Sequence, residues 1–371
     1  MRIGVETFTV HKQFPLTISR GTTSETTNVW VRIEQEGIEA WGEGSPFSLG
    51  KATSLSNSSS DPGTESFLTP TPHKQTTEIL LEALEVVIPM LEVFSPWEHQ
   101  QIERVLEEVQ VPSAAWASID LAIHDWLGKR VGLPLWRLWG LNRRRIVPIS
   151  ATVGISDPEK ARQRVQEWIP ITGAHVLKIK LGSPEGIAAD QQMILAIRDE
   201  APEAELSVDA NGGWSLEEGV EMCNWLASQG VRHVEQPLAP GKEVDLPELY
   251  KQSPLPIFVD ESCKTSQDIP PLANCVHGIN IKLMKSGGLT EAIRMVHTAK
   301  ACGLQVMFGC YSDSTLANTA ASHLSPLADY LDLDSHLNLV DDPFTGATLQ
   351  NGHLIPNNLP GLGVKRREFN H

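Results

Sequence analysis

Three carboxylates occupy the same place in a repeated pattern along the chain. Asp209, Glu235 and Asp260 each stand at the end of a short apolar segment, in the motifs LSVD, HVE and IFVD. Carboxylate oxygens are the ligands that Mg²⁺ prefers, whereas Zn²⁺ takes nitrogen and sulfur more readily. If the three segments lie side by side, the sequence predicts a Mg²⁺ site built from these residues.

Three lysines end other segments of the same kind. Lys178 and Lys180 close the segment VLKIK, and Lys282 closes INIK. A neutral lysine can remove a proton from the carbon next to a carboxylate, and a divalent cation opposes the charge that then builds up on the carboxylate oxygens. Lys178, the cation and partial burial favour the neutral form of Lys180. With one lysine on each face of the substrate, the proton leaves from one side and returns on the other.

A second group of carboxylates, Asp332 and Asp334, lies in the segment YLDLD. Residues two apart in a strand point to the same face, so the two side chains are expected to act together. Paired carboxylates accept charge-assisted hydrogen bonds from an ammonium group. A substrate with a carboxylate at one end and an amine about one residue further away fits a dipeptide.

All of these residues lie at the ends of eight apolar segments, which recur from Val147 onward at intervals of roughly 22 to 28 residues. Parallel strands joined by a helix need intervals of this length. Eight such strands predict a closed α/β barrel with its active site at the carboxyl ends of the strands. Strands two and six lie opposite each other in a ring of eight, which places Lys180 and Lys282 across the mouth. Turn-forming residues after strand eight predict that the closing helix is missing or replaced.

The segment before the barrel has a different pattern. Residues 1–120 read as long alternating strands followed by helices, which predicts an α+β capping domain. Within it, a Ser/Thr/Pro-rich insertion at about 51–72 is expected to form a loop. The barrel is expected at 121–340, and the segment 341–371 is expected to return toward the capping domain.

The composition narrows the classes of partner. The chain has 371 residues and a formal net charge of −16, which disfavours nucleic acid and anionic membranes as partners. Its five cysteines form no C-x-x-C pair, no signal peptide is evident, and no apolar run is long enough to span a membrane. We therefore expect a cytoplasmic enzyme that acts on a small molecule, and a homo-oligomer is compatible with the sequence.

The motifs LKIKLG, VDANGGW, VEQPL, VDES and IKLMKSGG resemble those of the enolase superfamily, and within it the muconate lactonizing enzyme subgroup. The resemblance covers essentially the whole chain. It implies an α/β fold, a (β/α)₇β modified TIM barrel with an N-terminal α+β capping domain that the C-terminal segment completes. It also implies an enolate intermediate and the following site: Mg²⁺ ligands Asp209, Glu235 and Asp260, and acid/base lysines Lys180 and Lys282.

Within the subgroup, the D-x-D pair Asp332 and Asp334 is similar to the motif by which dipeptide epimerases, such as L-Ala-D/L-Glu epimerases, hold the dipeptide ammonium. The resemblance therefore implies an isomerase that inverts the C-terminal residue of a dipeptide. N-succinylamino acid racemase, o-succinylbenzoate synthase and muconate cycloisomerase use the same lysines and metal, and stay open as alternatives. Other expected site residues are substrate contacts Lys178, Arg20, Thr152, Tyr311 and Asp313, and Asn211 and Glu261 behind the metal ligands.

One histidine lies close to the predicted site in the sequence. His233 stands two residues before Glu235 on the same strand and therefore points into the barrel one layer deeper. An isolated histidine at such a position more often packs in the core than binds a metal. We expect His233 to be a core residue.

Overall fold

The computed structural model describes residues 1–49, 74–173 and 175–368. The insertion that the sequence places at about 51–72 lies outside the described residues. Among the helices of the described part, none combines the length and the apolar composition needed to cross a membrane.

The chain begins with an antiparallel sheet of three strands in sequence order. Val31 in the central strand pairs with Val5 on one side and Gly42 on the other. A side chain at Gly42 would approach the backbone oxygen of Ser118 to 1.9 Å, so glycine lets a helix lie directly on the sheet. The elements of this part are β1 (Arg2–Ile18), β2 (Gly21–Gln35), β3 (Ile38–Gly44), β4 (Phe47–Ser48), β5 (Lys74–Gln75), α1 (Thr77–Leu91), α2 (His99–Glu108), α3 (Ser113–Val131) and α4 (Leu135–Leu138).

Helix α3 runs through residue 120 without a break, at the position where the sequence analysis divides the capping domain from the barrel. Thirteen of its residues are buried, on every side of the helix. It packs against the sheet through β3 and against the barrel through a later helix. The division of the chain into domains at this point stays a prediction.

Eight parallel strands form the second part, in the order in which they occur along the chain. The ring closes between its first and last members, because the Ser150 amide donates to the carbonyl of Leu331 at 2.8 Å. This confirms the predicted barrel and its strand count. The strands are β6 (Ala151–Val153), β7 (Val176–Lys180), β8 (Glu205–Asp209), β9 (Val231–Glu235), β10 (Ile257–Val259), β11 (Gly278–Lys282), β12 (Gln305–Gly309) and β13 (Tyr330–Asp332).

Helices fill the intervals between the strands, as their amphipathic patterns require. Helix α5 illustrates the local signals: Asp157 caps its start by accepting from the Lys160 amide, and Gly173 ends it in a left-handed conformation. The helices are α5 (Pro158–Thr172), α6 (Ile187–Glu200), α7 (Leu216–Ser228), α8 (Leu246–Gln252), α9 (Ile269–Leu272), α10 (Leu283–Ser286), α11 (Leu289–Ala301) and α12 (Thr315–Ser322).

No full helix follows the eighth strand within the described residues; a short 3₁₀ turn at Ser335–Asn338 replaces it. The chain then returns to the N-terminal sheet, where the Phe344 ring lies 4.7 Å from that of Trp30 and 6.1 Å from that of Trp41. The last strands are β14 (Phe344–Thr345), β15 (Thr348–Gln350), β16 (His353–Ile355) and β17 (Lys365–Arg366).

The hairpin of β1 and β2 reaches across the carboxyl ends of the barrel strands. The Ile155 amide, just after β6, donates to the carbonyl of Thr17 at 2.9 Å. At the hairpin turn, the Ser19 hydroxyl donates to the carbonyl of Asn211, which follows β8. The N-terminal part of the chain therefore covers the barrel end that carries the predicted site.

Candidate active site

The three carboxylates predicted to bind metal end neighbouring strands of the barrel. Asp209 is the last residue of β8, Glu235 is the last residue of β9, and Asp260 follows β10 directly. Asp209 and Glu235 are partners in the parallel register, and the Asp260 amide donates to the side chain of Gln236 at 2.9 Å. All three acidic residues are buried. The pairing of adjacent strands therefore aligns Asp209, Glu235 and Asp260, which are far apart in the sequence, in a row that we call the carboxylate row.

The lysines of β7 contact one end of this row. Lys180 Nζ lies 2.6 Å from Asp209 Oδ2. Lys178 Nζ lies 2.7 Å from Glu235 Oε2 and 2.6 Å from Asp332 Oδ2. Lys178 contacts carboxylates on more than one side and is only 1 % exposed, whereas Lys180 lies at the end of the row.

The other end of the row is flanked by Lys282, whose Nζ lies 2.8 Å from Asp260 Oδ2. A further lysine, Lys285, was not singled out from the sequence. It donates to Asp260 Oδ1 at 2.7 Å and to the backbone carbonyls of Asp260 and Asn280 at 2.6 and 2.8 Å. The K-x-x-K spacing in IKLMKSGG is the signal that could have indicated it, because helix α10 starts directly after Lys282 and turns Lys285 back toward the strand ends.

The charges in the row divide its carboxyl groups into two kinds. For Asp209, burial would raise the pKa, but the lysines of β7 outweigh burial and hold the pKa well below its ordinary range. For Asp260, burial is outweighed in the same way by Lys282 and Lys285. Glu235 differs, because burial and the nearby charge of Asp209 raise its pKa to about 7. The middle carboxyl of the row therefore binds a proton more readily than the two outer ones.

The same contacts act on the lysines. Burial lowers the pKa of Lys282, but the Asp260 carboxylate outweighs burial and raises this pKa well above its ordinary value. For Lys178, burial is outweighed by the carboxylates of Asp332 and Glu235, so its pKa is also raised well above the ordinary value. Both buried lysines are ammonium groups in this arrangement.

The carboxylates of strand eight lie on the far side of Lys178. Asp332 Oδ1 accepts from the hydroxyls of Ser150 and Thr152 at 3.0 and 3.3 Å. Asp334 Oδ2 accepts from the Thr152 amide at 2.7 Å. Burial and the charge of Asp332 raise the pKa of Asp334 to about 6. The structure therefore places Thr152 in contact with both carboxylates, and Asp332 forms an ion pair with Lys178.

The hairpin turn brings Arg20 over the row. Its Nη2 lies 2.8 Å from Glu261 Oε1, and its Nη1 donates to the backbone carbonyl of Asn211 at 3.1 Å. Asn211 in turn donates to Asp209 through its amide at 2.8 Å and through its side chain at 3.1 Å. Arg20 thus connects Glu261 with Asn211 next to the row. Its positive charge is already paired with the Glu261 carboxylate.

Two further predicted residues come from the segment after β12. The Tyr311 ring stacks on Phe47 with 4.6 Å between centroids, and Lys282 Nζ lies 4.4 Å from the Tyr311 centroid. The Asp313 carboxylate accepts from the Tyr311 amide at 3.3 Å. Burial raises the pKa of Asp313. Tyr311 and Phe47 therefore form an aromatic wall beside Lys282.

The carboxylate row fits a divalent cation that prefers oxygen. Its ligand atoms would all be carboxylate oxygens, and two of these buried oxygens, Glu235 Oε2 and Asp260 Oδ2, contact ammonium groups, Lys178 Nζ at 2.7 Å and Lys282 Nζ at 2.8 Å. Buried carboxylates are normally paired with cationic groups or coordinate a metal, so three of them side by side form a site that a cation can occupy. Mg²⁺ binds such hard oxygen ligands.

A second cluster of metal-binding residue types, His99, Asp120 and His124, does not fit a cation equally well. Asp120 Oδ2 accepts from the Leu289 amide at 2.6 Å, and Asp120 Oδ1 accepts from the Thr290 hydroxyl at 2.5 Å. The Asp120 carboxylate is therefore committed to the first turn of α11. This cluster joins α2 and α3 to the first turn of α11.

The chain matches two family descriptions that together cover most of its length. Residues 2–140 match the mandelate racemase / muconate lactonizing enzyme N-terminal domain, and residues 160–369 match the enolase C-terminal domain-like family. The chain belongs to the enolase superfamily. This family membership confirms the resemblance read from the sequence motifs, and it agrees with the barrel and the separate N-terminal sheet.

Individual members of the superfamily are similar over the full chain. Proteins named hydrophobic dipeptide epimerase from a Flavobacteria bacterium and from Roseobacter litoralis are 40% and 41% identical to it, with at least 98% of each chain covered. Among solved structures, the dipeptide epimerase of Enterococcus faecalis in complex with Mg and the dipeptide L-Leu-L-Tyr is 29% identical. Its TM-score is 0.86, and the match covers 98% of this chain and 99% of that one.

Proposed function

We propose that this protein is a Mg²⁺-dependent epimerase that inverts the α-carbon of the C-terminal residue of a dipeptide. The observation that carries the proposal is the placement of Lys180 and Lys282 at opposite ends of one carboxylate row, each in contact with a different outer carboxylate. A substrate carboxylate held at this row would have one lysine on each side. Two bases on opposite faces are what inversion by proton transfer requires.

Asp209, Glu235 and Asp260 would hold the cation. When bound, Mg²⁺ opposes negative charge on the substrate carboxylate and occupies the carboxylates that otherwise form ion pairs with Lys180 and Lys282. Lys285 and Asn211 position this ligand set, because they donate to Asp260 and Asp209 from behind. The complex of the Enterococcus faecalis relative with Mg and a dipeptide supports this assignment.

In the proton transfer, one lysine acts as a neutral amine and removes the α-proton, and the substrate carboxylate becomes an enolate. The opposite lysine, as an ammonium group, then gives a proton to the other face of the carbon. Lys180 and Lys282 exchange these roles when the epimer of opposite configuration reacts. Lys178 remains an ammonium group beside the row and stabilises negative charge there, because Asp332 and Glu235 hold its proton.

The dipeptide assignment rests on the acidic pair of strand eight. Asp334 accepts from the Thr152 amide, and its partner Asp332 lies beside it, so a substrate ammonium would find two acceptors. The α-nitrogen of an N-succinyl amino acid is an uncharged amide, so such a substrate would leave this pair unmatched. The two relatives at 40% and 41% identity, both named hydrophobic dipeptide epimerase, support the same substrate class.

We further propose that the epimerised residue carries an apolar side chain. The Arg20 guanidinium, which could otherwise attract an acidic side chain, is paired with the buried carboxylate of Glu261. The surface beside Lys282 is the stacked pair of Tyr311 and Phe47. An aromatic wall favours apolar contacts over charged ones.

The test is a library of free dipeptides, N-acetyl dipeptides and N-succinyl amino acids incubated in deuterated buffer and read by mass. Each turnover replaces the α-hydrogen by deuterium. We expect exchange in free dipeptides with an apolar C-terminal residue, and at least about tenfold lower kcat/KM after N-acetylation, because a charge-assisted hydrogen bond is lost. A preference for N-succinyl amino acids would replace the dipeptide assignment with the racemase alternative.

A further inference from the structure

The aromatic ring of Tyr311 lies beside the ammonium group of Lys282. Lys282 Nζ is 4.4 Å from the centroid of this ring and 2.8 Å from Asp260 Oδ2. The Lys282 side chain is only 5 % exposed, so little water surrounds its charge. The face of an aromatic ring attracts a cation within about 6 Å of its centroid, and the attraction is stronger where water is excluded. The ring and the carboxylate therefore both hold this ammonium group in place.

Stacking on the N-terminal part of the chain fixes the orientation of the Tyr311 ring. Phe47 of β4 stacks on it with 4.6 Å between centroids and an angle of 8° between the ring planes. The buried hydroxyl of Tyr311 has no hydrogen-bond partner among the described residues, so it does not orient the side chain. The ring, and not the hydroxyl, therefore makes the contacts that place Tyr311 between Phe47 and Lys282.

The other proposed base lacks such a contact. Lys180 Nζ lies 2.6 Å from Asp209 Oδ2, and none of the contacts between a cation and an aromatic ring in the described part of the chain involves Lys180. If a cation occupies the carboxylate row, both lysines lose part of their ion pairs, because the cation competes for the same oxygens. Lys282 then still has the Tyr311 ring, which makes the two ends of the row unequal.

We propose that Tyr311 is a positioning residue, which holds Lys282 on its side of the substrate through the aromatic ring. This inference rests on the proposed function, because it assigns Tyr311 to one of the two proposed bases. Proton transfer needs the lysine nitrogen within hydrogen-bond reach of the α-carbon proton. Loss of the ring should therefore impair proton transfer by Lys282 and leave proton transfer by Lys180 nearly unchanged.

NMR can measure the contact without turnover, in the metal-free protein. Nuclei above the face of an aromatic ring are shifted upfield. In protein labelled with ¹³C-lysine, we expect an upfield-shifted ε-methylene signal that is missing from Lys282→Arg. Tyr311→Phe should keep this shift, and Tyr311→Leu should remove it. Tyr250→Leu is the matched control, because it removes a ring that stacks on His277 instead, and it should leave the signal unchanged.

Two single-base variants provide the catalytic measurement. In Lys180→Ala, exchange of the α-proton of a dipeptide with deuterated buffer depends on Lys282, and in Lys282→Ala it depends on Lys180. Adding Tyr311→Leu should lower kcat for exchange at least about tenfold in the first variant and change it little in the second. Adding Tyr311→Phe to the first variant should keep kcat within about twofold, because the ring is retained. We compare kcat because a lost apolar contact with the substrate acts mainly on KM.

Three results would overturn the inference and leave the proposed function in place. They are an unchanged Lys282 signal in Tyr311→Leu, an equal loss of kcat in both single-base variants, and a loss in Tyr311→Phe as large as that in Tyr311→Leu. A wild-type protein that exchanges the α-proton of no free dipeptide would instead overturn the proposed function, and the role of Tyr311 with it. If Tyr311→Leu does not fold, Tyr311→Met replaces it, since methionine keeps a long apolar side chain without a ring.

Discussion

At the residue scale, Lys180 and Lys282 differ in the carboxylate that each contacts. Lys180 contacts Asp209, and Lys282 contacts Asp260. If each serves one face of the substrate, replacing either one should remove exchange for one epimer only. Lys180→Ala should still exchange the α-proton of one epimer with solvent and lose epimerisation, and Lys282→Ala should show the opposite preference. Deuterium incorporation into each separate epimer measures this. Equal loss of exchange for both epimers in both variants would contradict the two-base assignment.

The metal ligands give a second prediction at this scale. Asp260→Asn removes the negative charge of one proposed ligand, so Mg²⁺ affinity should fall by at least about tenfold while the fold persists. Calorimetric Mg²⁺ titration measures the affinity, and circular dichroism checks the fold. EDTA should abolish epimerisation and Mg²⁺ should restore it. Asp199→Asn, an exposed residue of α6, is the control, and unchanged affinity in Asp260→Asn would remove Asp260 from the ligand set.

At the scale of elements, strand β3 is joined to the segment after β12 by one buried side chain, Glu43. Its Oε2 accepts from the Ser314 hydroxyl at 2.6 Å and from the Ala317 amide at 3.1 Å, and its Oε1 accepts from the Ser314 amide at 2.9 Å. Burial and the charge of Asp313 raise the pKa of Glu43 to about 7. Glu43 thereby caps α12 and holds the loop that carries Tyr311.

Glu43→Gln tests this junction. An amide would turn one N–H₂ group toward backbone donors, so the free energy of unfolding should fall by about 1 to 3 kcal/mol. The value of kcat/KM should fall as well, because the loop with Tyr311 loses its support. Denaturant unfolding and steady-state kinetics are the measurements. Glu39→Gln, at an exposed position of the same strand, should change either quantity little, and a similar loss in both variants would show that Glu43 has no special role.

At the scale of the whole molecule, the N-terminal helices are attached to the barrel through Asp120. Its carboxylate accepts from the first turn of α11, and His124 lies 3.5 Å from Asp120 Oδ2. For His124, burial lowers the pKa, but Asp120 outweighs burial and raises it above 6.5. A raised folded-state pKa adds stability below the unfolded value, and this stability is lost as pH rises through the folded value.

The resulting prediction concerns the pH dependence of unfolding. Relative to the wild type, His124→Gln should lower the free energy of unfolding by about 1.5 to 3 kcal/mol at pH 6, where the charged contact is present. The difference should shrink as the pH is raised toward 9. His297→Gln, which alters an exposed histidine of α11, serves as the control. A difference that stays constant with pH would mean that the charge of His124 contributes nothing to the attachment.

Much of this fold could be predicted because its signals are local. Each barrel strand is a short apolar segment with a polar residue at its carboxyl end, and each interval has the length and the pattern of a helix, so the strand count follows from a few residues at a time. The shared position of Asp209, Glu235 and Asp260 at these ends predicts their meeting, because parallel strands in register place equivalent residues side by side.

Only the tertiary structure determines which charged and polar side chains contact each other. The contact of Lys178 with Asp332 joins residues 154 positions apart, and that of Glu43 with Ser314 joins residues 271 positions apart. Lys285 contacts Asp260 because α10 turns back toward the strand ends, and His233 lacks a partner because of what surrounds it. Whether an ion pair or a hydrogen bond forms depends on differences of a few tenths of an ångström in the distance between segments that are far apart in the sequence. The barrel pattern is local, whereas these distances are set only when the ring of strands closes.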